Sequence, residues 1–110
     1  MKDRKLLGAL GEEMAASILY AQGMDILERN YRCKIGEIDI IARNAEEIVF
    51  VEVKTRMEPS MTDPAQAVGP DKQRTIRRAA EYYMLTRKLK DLWISFQVIE
   101  VTVNQIQDAF

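Results

Sequence analysis

The stretch Gly36-Glu37-Ile38-Asp39-Ile40-Ile41-Ala42-Arg43-Asn44-Ala45-Glu46-Glu47-Ile48-Val49-Phe50-Val51-Glu52-Val53-Lys54-Thr55-Arg56 decides the fold. Two runs rich in Ile and Val, 35–43 and 47–55, flank Asn44-Ala45-Glu46. β-Branched residues favour strands, and so short a connection joins them as an antiparallel hairpin. Alternate strand residues share a face, about 6.6 Å apart. Phe50, Glu52, Lys54 and Arg56 therefore lie on one side of their strand, and Val49, Val51 and Val53 on the other. Glu37 and Asp39 are expected to share one face of the partner strand, and pairing lets Asp39 converge with Glu52.

Outward from the hairpin, 4–22 reads as a helix with Leu7, Leu10, Met14 and Ile18 on one stripe. Gly23 is placed to end it, and 24–32 reads as a short strand. Residues 57–70 hold all three prolines and read as a loop. A second helix over 71–88 carries Ile76, Ala79, Ala80 and Tyr83 on one stripe; Lys72, one turn before Ile76, points to the edge of the core. A last strand spans 93–103. Helix, strands, helix and strand in that order predict an α/β domain with a mixed sheet, one domain over 1–110.

Composition removes many chemistries. The chain has 110 residues, 47% hydrophobic and 30% charged, with no histidine and one cysteine. Imidazole bases and ligands are excluded, as are an intrachain disulfide and any multi-cysteine zinc site. Nothing near Cys33 supplies the base that a catalytic thiol needs, and Ser17, Ser60 and Ser95 lack partners for nucleophilic work. Tyr82, Tyr83 and Trp93 read as core or interface aromatics. No run approaches the roughly 20 apolar residues of a membrane span, and a lone cysteine without an export signal reads as cytoplasmic.

Net charge is −1, yet 71–91 carries seven basic residues against three acids. A neutral total with one basic segment suits a local anionic contact, such as a phosphate backbone; a solvated helix face is the plainer alternative.

Within this frame Asp39 and Glu52 interrupt runs of Ile and Val. An unpaired buried carboxylate is costly, and a divalent cation between the two offsets that cost. Mg2+ takes oxygen ligands at about 2.0–2.1 Å, commonly one or two carboxylates with phosphate and water. Lys54 reaches the same water or a phosphate oxygen. Two acids and a lysine suffice for metal-assisted phosphodiester hydrolysis without histidine. Alternatively, the residues form an exposed hairpin face with a Glu52–Lys54 ion pair.

The string from Gly36 to Arg56, with Gly11-Glu12-Glu13-Met14-Ala15 before it and Pro64-Ala65-Gln66-Ala67-Val68 and Lys72 after it, resembles the YraN-like family of bacterial proteins. The likeness extends to Arg29-Asn30-Tyr31-Arg32 and Asp108-Ala109-Phe110. It implies a restriction-endonuclease-like core, with a central mixed β-sheet flanked by α-helices, of the kind found in Holliday-junction resolvases and other PD-(D/E)XK nucleases. On that resemblance Asp39, Glu52 and Lys54 match the catalytic positions, and Asp39 and Glu52 with Glu13 match the metal-binding ones. Ala9 and Ala16 flank Glu13 at helical spacing, which suits close approach of helix to sheet. Glu37 is expected to support the site or to bind DNA, and Lys72 to contact phosphate. Two departures stand out: Gln97 in Ser95-Phe96-Gln97-Val98 occupies an acidic position, and Thr62-Asp63 replaces a usual glycine.

The expected function is a Mg2+- or Mn2+-dependent endonuclease acting on DNA, branched or structured DNA included. Lys72, Arg74, Arg77, Arg78 and Arg56 would contact nucleic acid. The alternatives are a non-cutting nucleic-acid-binding module of the same fold and a protein–protein adaptor. A homodimer would bury an apolar face in the adaptor reading, and it suits the nuclease too, since two sites could address two strands.

Overall fold

The computed structural model describes residues 3–58 and 68–110. The elements are α1 (Arg4–Ala21), β1 (Asp25–Arg32), β2 (Glu37–Arg43), β3 (Glu47–Glu58), α2 (Pro70–Thr86) and β4 (Trp93–Asn104). The loop expected over 57–70 loses Met57 and Glu58 to β3, and Thr62, Asp63 and the Pro64–Ala67 motif lie outside the described residues.

The strands form one sheet in the order β1-β2-β3-β4. The first two junctions are antiparallel and β3–β4 is parallel, so the mixed sheet follows from α2 carrying the chain back before β4. β3 is covered on both faces. Ile48 and Phe50 pack with Ile38, Ile41, Ile76, Ala79 and Tyr83 on the α2 side. Val49 and Val51 pack with Ala15, Ala16, Leu19 and Ile40 on the α1 side. Burial on both faces explains why 48–51 is an unbroken apolar run.

Helix α1 corrects the sequence reading. Its buried residues are Gly11, Ala15, Ala16 and Leu19, whereas Leu10 and Met14 of the expected core stripe are 59% and 53% exposed. Small residues win the interior because they allow close approach. A Cβ on Gly11 would overlap Thr55 Oγ1 and lie 2.8 Å from Thr55 Cβ. Gly11→Ala is therefore expected to cost about 1–3 kcal/mol in urea unfolding. Adding Thr55→Ala should recover part of that loss, and no recovery would show that the contact is not the cause.

Gly23 ends α1 with φ +92°, as its position predicts. Trp93, read as a core or interface aromatic, is 79% exposed at the start of β4.

Candidate functional site

The β2–β3 ladder runs from Arg43↔Ile48 to Ile40↔Val51 and stops there. Asp39 and Glu52 occupy the next position on each strand. Continuing the ladder would send the Val53 N–H to the carbonyl of Ile38. Instead Val53 N–H donates to Asp39 Oδ2 at 2.7 Å, so a carboxylate takes the place of a ladder carbonyl and the strands part.

The alternation of β2 slips at this point: Ile38 packs on the α2 side and Ile40, two residues on, packs on the α1 side. Opposite Asp39 on β1 stands Asn30, bracketed by the pairs Arg29↔Ile40 and Tyr31↔Ile38. Its φ of +53° marks the same local distortion. The expected sharing of a face by Glu37 and Asp39 fails with this slip. Glu37 is exposed and pairs with Arg32 at 3.2 Å, outside the cluster around Asp39.

Glu52 is buried on the α2 side of β3. Two ammonium groups meet its Oε1: Lys54 at 3.7 Å and Lys72, which donates to it from α2. Lys72 therefore takes the core-edge position that its spacing predicts. Its pKa is raised, first by the hydrogen bond to Glu52 and then by the charges of Glu52 and Asp39. The Asp39 carboxyl is pushed up to about 6. Desolvation is the main cause and the Val53 N–H works against it, while the charges of Glu52 and Glu12 raise it further.

The acid of α1 that Asp39 feels is thus Glu12. Glu13, expected at the metal site, is exposed and bonds Arg29 at 2.9 Å, so the set Asp39, Glu52 and Glu13 is not assembled. Among the described residues no three acidic or cysteine side chains gather closely enough to enclose a cation. The signal for Glu12 was present in the sequence: it precedes Ala16 by four residues and Leu19 by seven, on the buried stripe.

A hollow of about 310 Å³ opens beside Glu52, with Phe50, Ile76 and Phe96 below and Gln73 and Arg77 at its rim. The Arg77 guanidinium sits 4.5 Å from the centre of the Phe96 ring. Gln97 also lines this hollow, and its amide donates to Ser95 Oγ at 3.2 Å. Arg74 is exposed and paired with Asp71, and Arg78 is exposed. Arg56, expected at the nucleic-acid surface, is held between Glu58 and Glu100, its side chain only 21% exposed.

Helices on both faces of a four-stranded mixed sheet, with the two acids where its middle strands part, make this a restriction-endonuclease-like α/β core. The chain belongs to the Uncharacterised protein family UPF0102, whose model matches residues 11–101, the YraN-like family that its motifs resemble. It is 45% identical over 102 residues to a UPF0102 protein of Caldicellulosiruptor saccharolyticus, covering 93% of this chain and 86% of that one. A UPF0102 protein of Syntrophus aciditrophicus is 46% identical over 110 residues, covering 94% and 87%. One from Clostridium perfringens is 42% identical over 118 residues, covering 99% and 97%. Among the described residues no helix is long and apolar enough to cross a membrane.

Proposed function

We propose that the chain is a divalent-cation-dependent nuclease acting on DNA, branched or structured forms included. The observation that carries this reading is the convergence of Asp39, Glu52, Lys54 and Lys72 where β2 and β3 part. The donor set fits Mg2+ or Mn2+: hard carboxylate oxygens, one of them on a partly desolvated group beside a second acid. Asp39 and Glu52 would hold the cation, with Glu12 on the approach from α1. When bound, the cation would supply charge stabilisation at the phosphoryl group and a more acidic water.

The chain's own residues supply the rest. Val53 N–H fixes the Asp39 carboxylate through one oxygen and leaves the other for a ligand role. Lys54, on the same face as Glu52, positions the attacking water and opposes charge developing on phosphate. Lys72, which donates to Glu52 here, would be free to contact a phosphate oxygen where that carboxylate held a cation. Arg74, Arg77 and Arg78 on α2 place the backbone of the nucleic acid.

The test is cleavage of linear, single-stranded and branched DNA with Mg2+ or Mn2+. Lys54→Ala is expected to reduce the rate at least about a hundredfold while still binding DNA. Wild-type cleavage indistinguishable from that of Lys54→Ala would overturn the reading. Salt-dependent binding through Arg74, Arg77 and Arg78 without any cation requirement would favour the non-cutting module.

A further inference from the structure

The two edges of the sheet are built differently. β1 spans eight residues, carries Asp25, Glu28, Arg29 and Arg32, is irregular between Ile26 and Glu28, and holds Asn30 at positive φ. Charge, irregularity and shortness are the devices that stop an edge from pairing. β4 is neither short nor irregular and carries little charge. It spans twelve residues, keeps unbroken register with β3 from Glu47↔Trp93 to Glu58↔Asn104, and contains one charged residue, Glu100.

Among the described residues nothing pairs with the far side of β4. A strand about 40 Å long leaves roughly half of its N–H and C=O groups turned outward there. Apolar side chains accompany them: Trp93, Ile94, Val98 and Val103 are 79%, 50%, 51% and 38% exposed. A hollow of about 670 Å³ between Met84, Leu85, Ile94 and Phe96 flanks the edge on the α2 side. Another of about 750 Å³, against Val101 and Val103, flanks it on the α1 side.

We infer that β4 pairs antiparallel with β4 of a second copy, joining two sheets into one of eight strands. A strand is the occupant that matches a row of outward ladder groups, and this strand complements itself. A twofold normal to the sheet pairs residues of one face, so it runs between a residue and its own copy; the central choice, Val98 against the partner's Val98, pairs residues 93–103. Glu100 then faces the partner's Phe96, so no like charges meet. The same axis closes the assembly at two chains, whereas parallel pairing would stack Glu100 on its own copy and leave an edge open.

The twofold of an antiparallel pair is normal to the sheet, so both α2 faces look the same way. Glu52 is in register with Val98, which sets the two Glu52 positions three strand spacings apart, about 14 Å. The interface does not depend on the nuclease reading, because its test reads mass and amide protection.

Light scattering on the full chain, over a hundredfold concentration range, is expected to show a particle of twice 12.7 kDa that dissociates on dilution. The emission of Trp93 should shift to the red as it does so. Val98→Lys, beside the axis, is expected to be a monomer with an unchanged far-ultraviolet spectrum. Tyr20→Lys, exposed near the end of α1 and away from both hollows, should dimerise like the wild type. A wild-type monomer throughout, a dimer that survives Val98→Lys, or loss of the dimer in Tyr20→Lys alone would overturn the inference. Should Val98→Lys fail to fold, hydrogen exchange over 93–104 of the wild type decides: protection rising with concentration supports the interface, and protection independent of it overturns it.

Discussion

Asp39→Asn is expected to be more stable than the wild type at about pH 7.5 and to have lost cation-dependent cleavage. The stability half follows from electrostatics. Desolvation, and the neighbouring charge of Glu52, lift the Asp39 carboxyl from 3.8 to about 6. Glu12 and Lys72 also face it, with opposite effects.

Between those two values the folded chain holds a proton that the unfolded chain has released. The stability associated with the protonated form is complete below about pH 4 and is lost as pH rises through about 6. Above that range the ionised carboxylate weakens the fold, on the order of 1–2 kcal/mol once discounted for partial exposure. Asparagine has the same shape, can accept the Val53 N–H and carries no charge, so it removes the penalty. Chemical denaturation at several pH values checks this: the wild type should lose stability between about pH 4 and 6, and the variant should change less. Cleavage should fall at least about a hundredfold, because the lost charge is one that would hold the cation. An Asp39→Asn protein less stable than wild type at neutral pH, or as active, contradicts the argument.

The hairpin was legible because its two signals agree. β-Branched residues fill both runs, and the charges on 52 and 54 recur at the strand period. Lys72 was legible for a similar reason, since its spacing from Ile76 fixes it on the core side of α2. Helix α1 was not, because size and spacing disagreed with fit. The stripe of large residues through Leu10 and Met14 looks like a core face, yet the helix seats Gly11, Ala15 and Ala16 so that it can lie against Thr55. That rotation also decides between adjacent acids: one residue is 100° around the helix, turning Glu12 inward and Glu13 out to Arg29. The slip at Asp39 was beyond reach as well. It arises from a side chain replacing a carbonyl in the ladder, and strand periodicity carries no trace of such an exchange.

Lys72→Ala separates a structural brace from a place-holder for the cation. Glu52 is buried and receives Lys72 directly, with Lys54 as a second, more distant partner at 3.7 Å. Removing Lys72 leaves a buried charge half-compensated. In the presence of a chelator the variant should lose on the order of 1–3 kcal/mol, below the range for a fully buried pair because the lysine is half exposed. Mg2+ should then do more for the variant than for the wild type. In the wild type a cation must first displace an ammonium from Glu52, and in the variant it meets a carboxylate already in want of a partner. Saturating Mg2+ stabilises a native protein by RT ln(1 + [L]/Kd), about 2.7 kcal/mol at a hundred times Kd, enough to restore most of the loss. Thermal melts with and without Mg2+, and calorimetric titration of the cation, should show tighter binding in Lys72→Ala together with weaker DNA binding. A brace alone would give the same loss of stability with no recovery. Recovery by Mg2+ that also appears in Lys72→Ala combined with Asp39→Asn would place the cation somewhere other than between β2 and β3.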